Sequence, residues 1–203
     1  ILEALMHLEV STRLSPKCCE KMVEVNAVSV LYRLINSCNR SVPHMELIKY
    51  SVNILLNLAK YEKTIAAVLE PQESVSCIVE LLQIYREKGA IFNNCCMLLG
   101  ILGFHPGRRM QILRNPLIVD RLQSIHALAH RKQRKQQNRQ VTQAKMAAMR
   151  SFSCTLPVLT PSKSKSHCVR PDWILAGNNV KDFEDSVAAV TFVMDALQIQ
   201  PKI

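Results

Sequence analysis

Seven basic residues, Arg131, Lys132, Arg134, Lys135, Arg139, Lys145 and Arg150, are the side chains whose spacing could do the most chemistry in this sequence. They lie in a window, Arg121 to Pro171, that holds eleven Lys or Arg and no Asp or Glu. The 203-residue chain carries +10 overall, so everything outside that window sums to −1. One concentrated basic region raises the local concentration of anionic partners and speeds their capture. Nucleic acid, an acidic protein surface such as tubulin's, and anionic lipid all answer to such a field. The bland alternative is a solvated helix that its charge keeps soluble.

Other reactive side chains form no constellation. The six histidines are scattered. His126 and His130 are four apart on one helix, but with no acid nearby they read as a surface pair and not as ligands. The eight cysteines are Cys18, Cys19, Cys38, Cys77, Cys95, Cys96, Cys154 and Cys168. None forms a C-x-x-C pair, and no His stands at metal-ligand spacing from them. The adjacent pairs fall in helical patterns, where small buried thiols are common. The expectation is reduced, structural cysteines in a cytosolic or nuclear protein. No Gly-rich phosphate loop, nucleophile elbow or metal-binding helix motif occurs. The sequence therefore predicts no enzyme, no cofactor and no metal.

The basic residues need an element to hold them. From Leu117 to Arg150 no Gly or Pro interrupts a run rich in Ala, Gln, Lys and Arg, all good helix formers. This predicts one helix of roughly 50 Å, at about 1.5 Å per residue. Leu117, Leu122, Ile125, Leu128 and Ala129 give its first third an apolar face, whereas His130 to Gln140 is too polar to be buried. With only 5 Gly, 5% aromatics and 48% apolar residues, the whole chain reads as all-α. No apolar run reaches the roughly 18 residues of a membrane span, and no signal peptide is visible.

Residues 1–116 carry an internal repeat. ILEALMHLEVS is apolar from its first position, as if its helix continued from an upstream neighbour in a longer polypeptide. Ser15-Pro16 starts a short helix and AVSVLYRLINSC a medium one, and Ser41-Val42-Pro43 opens a long helix apolar nearly all round. The order recurs with Thr64 to Glu70, Glu73 to Glu87 and Ala90 to Gly103, and Arg108 to Arg114 begins a third pass. Leu8, Leu58 and Leu102 end the three apolar helices, 50 and 44 residues apart. Leu58 to Leu69 and Leu102 to Leu113 are both 11 residues. A short, a medium and a long buried helix repeating at about 40–47 residues is the armadillo or HEAT pattern, in which neighbouring units bury each other's apolar faces. A plain bundle is the alternative. In such a solenoid the long helices line a groove, with Asn53, Asn57, Asn93 and Asn94 as candidate groove residues. The solenoid holds no Trp, so a Trp–Asn ladder for basic peptides is not supported. Asn57 could equally face water.

Residues 151–169 hold two prolines, five serines and no helical period, and read as an extended connection. Ser162 to Ser166 alternates Ser with Lys and offers a phosphorylation target, which would partly cancel the local charge. Residues 170–203 return to order. Pro171-Asp172-Trp173 leads through a Gly177-Asn178-Asn179 turn to the helix DFEDSVAAVTFVMDALQI, with Asp182, Glu184 and Asp185 at its positive end. Trp173, the only Trp, is expected to anchor this tail on the solenoid or on the far half of the long helix, around Val141, Ala144 and Ala148.

The runs ILEALMHLEVSTRLSPKCCEKMV, HMELIKYSVNILLNLAKYEKT and RPDWILAGNNVKDFEDSVAAVTFVMDAL together resemble the C-terminal region of the abnormal spindle family, large spindle-pole proteins associated with microcephaly. The resemblance implies an armadillo-like domain downstream of calponin-homology domains and calmodulin-binding IQ motifs, neither of which occurs in this sequence. It further implies a place at spindle poles and centrosomes, in the cytoplasm and cytoskeleton, with microtubule minus ends, katanin and calmodulin as associates. No motif of the family ties a residue here to one partner.

The expectation is a scaffold module of the cytoplasm, cytoskeleton and spindle pole, with a nuclear place in interphase as a further option, whose basic helix meets microtubules or a spindle-pole protein. Calmodulin binding by Leu117 to Arg150 is the second reading, as a basic amphipathic helix is its usual target. Against it stand anchors Leu122, Ile125 and Leu128, expected in the core, and the lack of an IQ-type core. Nucleic acid is the third; no interleaved aromatics support single-strand stacking. No membrane partner is expected.

Overall fold

The computed structural model describes residues 1–39, 41–151 and 186–201, with the side chains of 147–151 excepted. Among the described residues the chain is all-helical, with ten helices and no strand. In chain order these are α1 (Leu2–Leu14), α2 (Pro16–Glu24), α3 (Ala27–Ser37), α4 (Val42–Ala59), α5 (Glu62–Val68), α6 (Ser74–Ile84), α7 (Gly89–Gly103), α8 (Pro106–Leu113), α9 (Pro116–Ser151) and α10 (Ser186–Leu197).

Local chemistry sets the boundaries. Pro16, Pro43 and Pro106 each sit in a first turn, where a missing N–H costs nothing. Asn26, at φ 56°, makes the left-handed break between α2 and α3, a conformation Asn tolerates. The amide of Leu117 donates to Asn115 Oδ1 at 3.0 Å, satisfying one open donor at the start of α9.

Packing follows chain order at a spacing of three helices. α1 lies on α4, α4 on α7 and α7 on α10, while α3 lies on α6 and α6 on α9. The apolar-all-round helices are therefore covered on both sides: Val52, Ile54, Leu55 and Leu58 in α4 and Leu98, Leu99 and Leu102 in α7 are fully buried. Polar contacts repeat at a similar interval. Tyr32 donates its hydroxyl to the Val68 carbonyl at 3.1 Å, Asn94 Nδ2 donates to Asn53 Oδ1, and Gln111 Nε2 donates to the Leu69 carbonyl at 3.4 Å. These partners are 36, 41 and 42 residues apart, against 50 and 44 between the leucines. Leu58 and Leu102 are buried near the ends of α4 and α7, whereas Leu8 is exposed and lies in the middle of α1, which runs on to Leu14, and not at its end as expected.

The last helix takes the next place in the row. α10 packs on α7 and on the first part of α9. It can approach closely because α7 presents Gly100 and Gly103. A Cβ on Gly100 would overlap the ring of Phe192, and one on Gly103 would come 2.9 Å from Leu197 Cδ2 and 3.2 Å from the Ala196 backbone. Phe192 also meets Phe104, with ring centroids 5.7 Å apart. The helix ends in a Schellman turn: Ile199 N–H donates to Met194 O at 2.9 Å and Gln198 N–H to Asp195 O at 3.0 Å, with Gln198 at φ 56°.

Two expectations about α9 change. Leu117 does not belong to the apolar face; it is 64% exposed, and the buried stripe is Ile118, Leu122 and Ile125, offset by one residue. The spacing of four and three places those three on one side of the helix, with Leu117 about 100° away. Leu128 would continue the stripe but is 45% exposed, because α6, against which α9 packs, has ended at Ile84. Val141 is exposed too. The connection at 152–169, Trp173 and the acidic start of the last helix, Asp182 to Asp185, lie outside the described residues.

Candidate binding surface on the long helix

Two segments of α9 have different environments. Its root is held by Ile118, Leu122 and Ile125, each burial contributing roughly 1.5–3 kcal/mol. Gln123 Nε2 adds a bond to the Gln200 carbonyl at 2.8 Å, tying the root to the end of α10. From Arg131 to Met146 every residue except Gln133 is exposed. That segment is about 24 Å long at 1.5 Å per residue, so it projects as a polar rod beyond the packed core.

Arg131, Arg134, Lys135, Arg139 and Lys145 stand exposed on this rod. Lys132 is exposed as well but pairs with Glu87, just beyond the end of α6. The hydrogen bond and charge of Lys132 hold the Glu87 carboxyl below its ordinary range. The side chain of Arg150 lies outside the described residues. At about 100° per residue these basic residues fall within roughly half of the helix circumference, a broad basic face.

A groove opens where the rod leaves the core. It encloses about 420 Å³ between α6, α7 and α9, with Leu82, Phe92, Ile125, Leu128 and Arg86 among its lining residues. The sequence reading missed this site, since Arg86 lies 45 residues from Arg131. The only local signal was Leu128, an apolar residue at the edge of a charged run.

The asparagines proposed for a groove do other work. Asn57 is buried, and this corrects the expectation that it faces a ligand or water. Its Nδ2 donates to Glu9 O and to Thr12 Oγ1, both at 3.2 Å, and its Oδ1 accepts from Lys60 at 3.0 Å. It stitches α4 to α1. Asn53 and Asn94 are half-buried and bond to each other between α4 and α7. Asn93 is half-buried beside them. Helices packed this closely need their mid-face amides for one another.

The buried thiols are held protonated. Cys18, Cys19, Cys38, Cys77, Cys95 and Cys96 are all free, and Cys154 and Cys168 lie outside the described residues. Burial pushes Cys19 up to about 11 and Cys77 up to about 12, and it raises Cys95 and Cys96 as well. A thiol held protonated is a poor nucleophile. His126 and His130 do meet, with Nε2 atoms 3.1 Å apart. Among the described residues no third His, Cys, Asp or Glu joins them to make a metal site. Among the same residues no single helix is long and apolar enough to cross a membrane.

No family model matches the chain, and no solved structure matches it. Curated proteins do. The chain is 42% identical to the abnormal spindle-like microcephaly-associated protein homolog of the dog, 40% to that of Colobus guereza and 39% to the human abnormal spindle-like microcephaly-associated protein. Each match covers 98% of this chain and 6% of the relative, so the chain spans a small fraction of the length of these proteins. None of these names denotes an enzyme. Over nearly its whole length the chain is homologous to a segment of the abnormal spindle-like microcephaly-associated proteins, and it belongs to that family.

Proposed function

We propose that this chain is a non-catalytic interaction module of a spindle-associated protein. In this reading the three-helix spacing of packing contacts builds an armadillo-like solenoid, α9 extends from its last unit, and α10 completes that unit. The module works at the spindle pole or centrosome and contributes to focusing microtubule minus ends by presenting α9 to an acidic surface, that of the microtubule or of a spindle-pole protein. The observation that carries the proposal is the rod from Arg131 to Met146: helical, exposed, free of acid, and rigidly rooted by Ile118, Leu122 and Ile125. A helix polar all round is suited to bridging to a neighbour, and the charge of this one suits an acidic neighbour.

The relatives' names support the spindle context. A calmodulin complex on the same helix is disfavoured, since Leu122 and Ile125 are buried and would have to leave the core to serve as anchors. The test is to replace Arg131, Arg134, Lys135, Arg139 and Lys145 by Gln, a substitution that keeps helix propensity. Binding to microtubules should fall at least about tenfold with far-ultraviolet circular dichroism unchanged. Undiminished binding would sink the proposal.

A further inference from the structure

The groove at the root of α9 is chemically unlike the rod above it. Leu82, Phe92 and Ile125 are buried within it, and Leu128 leaves 45% of its surface open to it. Arg86, Arg131, Lys132 and Lys135 surround this apolar patch, opposed among the described residues by one lining carboxylate, Glu87, which Lys132 already engages. Among the described residues no ion pair occupies Arg86, Arg131 or Lys135. The volume, about 420 Å³, falls within the roughly 300–1,000 Å³ of sites that take a small ligand or a few side chains.

These two halves restrict what fits. A plain polyanion would neutralise the cations and leave Leu128 in water. A plain apolar ligand would strip water from three cations without pairing them, which is costly. A segment with a large apolar side chain flanked by carboxylates satisfies both, and the two arginines can each take a carboxylate through paired N–H donors. The geometry points to this groove as a docking site for a short acidic peptide of a protein partner, anchored by a Leu, Phe or Met in contact with Leu128. The inference rests on the reading of the chain as an interaction module and adds to it the chemistry of the partner.

A displayed library of random short peptides, selected on the whole chain at physiological salt, tests the inference. Recovered peptides are then titrated by fluorescence polarisation against the parent, Leu128→Ser and Arg86→Glu. Both residues are exposed, so neither substitution disturbs the core, and circular dichroism checks this. Expected is a consensus of Asp or Glu around one or two large apolar residues, with affinity reduced about tenfold or more by each substitution. Purely acidic sequences, no consensus, or affinities that both variants leave unmoved would overturn the inference. Failure here with microtubule binding intact removes the groove alone. A consensus that depends on Leu128, in a chain that does not bind microtubules, removes the rod's role and leaves the groove.

Discussion

The ring of Phe192 in α10 lies against the backbone of Gly100 in α7, in space that a single methyl group would fill. This contact joins segments far apart in sequence and fixes α10, and through it the end of the chain, beside the root of α9. The partner contact at Gly103 is nearly as tight, 2.9 Å from a virtual Cβ to Leu197 Cδ2. Gly100→Ala should therefore destabilise the fold by about 1–3 kcal/mol through overpacking, although Ala favours the helix. The loss should shrink when Phe192→Leu is added, and a double-mutant cycle in urea measures that coupling. Equal costs of Gly100→Ala with and without Phe192 would mean that α10 does not rest there.

Asn57 ties α4 to Glu9 and Thr12 of α1 from a buried position. Asn57→Ala should cost about 1–3 kcal/mol. The urea midpoint should fall with little change in slope.

Gln198 holds a left-handed conformation at the end of α10, with φ 56°. Glycine takes that conformation without the Cβ strain, which is about 1 kcal/mol for other residues. Gln198→Gly should accordingly raise the thermal midpoint by a few degrees, an unusual direction for a substitution to glycine. A scanning calorimetry trace showing a lower midpoint would contradict the Schellman end assigned to this helix.

Burial pushes the imidazole of His126 down, the neighbouring His130 adds to that, and Asp195 on α10 acts against both. The fold thus favours the neutral ring. Its contribution is fully present above the unfolded value of about 6.5 and is lost as pH falls through the lower folded value. The thermal midpoint should decline from pH 7 to pH 5, less so in His126→Gln. Titration by nuclear magnetic resonance should place His126 below an ordinary histidine.

Much of this architecture was legible in the sequence because its signals are local. Proline at helix starts and apolar-all-round runs gave the helices within a few residues; the recurrence of Leu8, Leu58 and Leu102 misplaced the end of α1, which runs past Leu8 to Leu14. The long helix was legible for the same reason: nothing in it breaks helical geometry. What escaped depends on neighbours. Leu117 and Ile118 are both apolar, and only the direction of α6 and α10 decides which is buried. Asn57 looks like any polar residue on a helix until α1 is laid across it. Arg86 and Leu128 line one groove although they lie 42 residues apart in sequence. The pair Gly100 and Gly103, three apart on an apolar helix, was a sequence signal for close helix approach, but it does not say which helix approaches.

The central claim is that the exposed half of α9 binds an acidic surface by charge. Co-sedimentation of the chain with stabilised microtubules at low and physiological salt, beside the Gln-substituted helix, tests it most directly. The account predicts binding by the parent chain that weakens as salt screens the charges, and little binding by the substituted form at either salt. Equal sedimentation of both forms, or binding indifferent to salt, would contradict it.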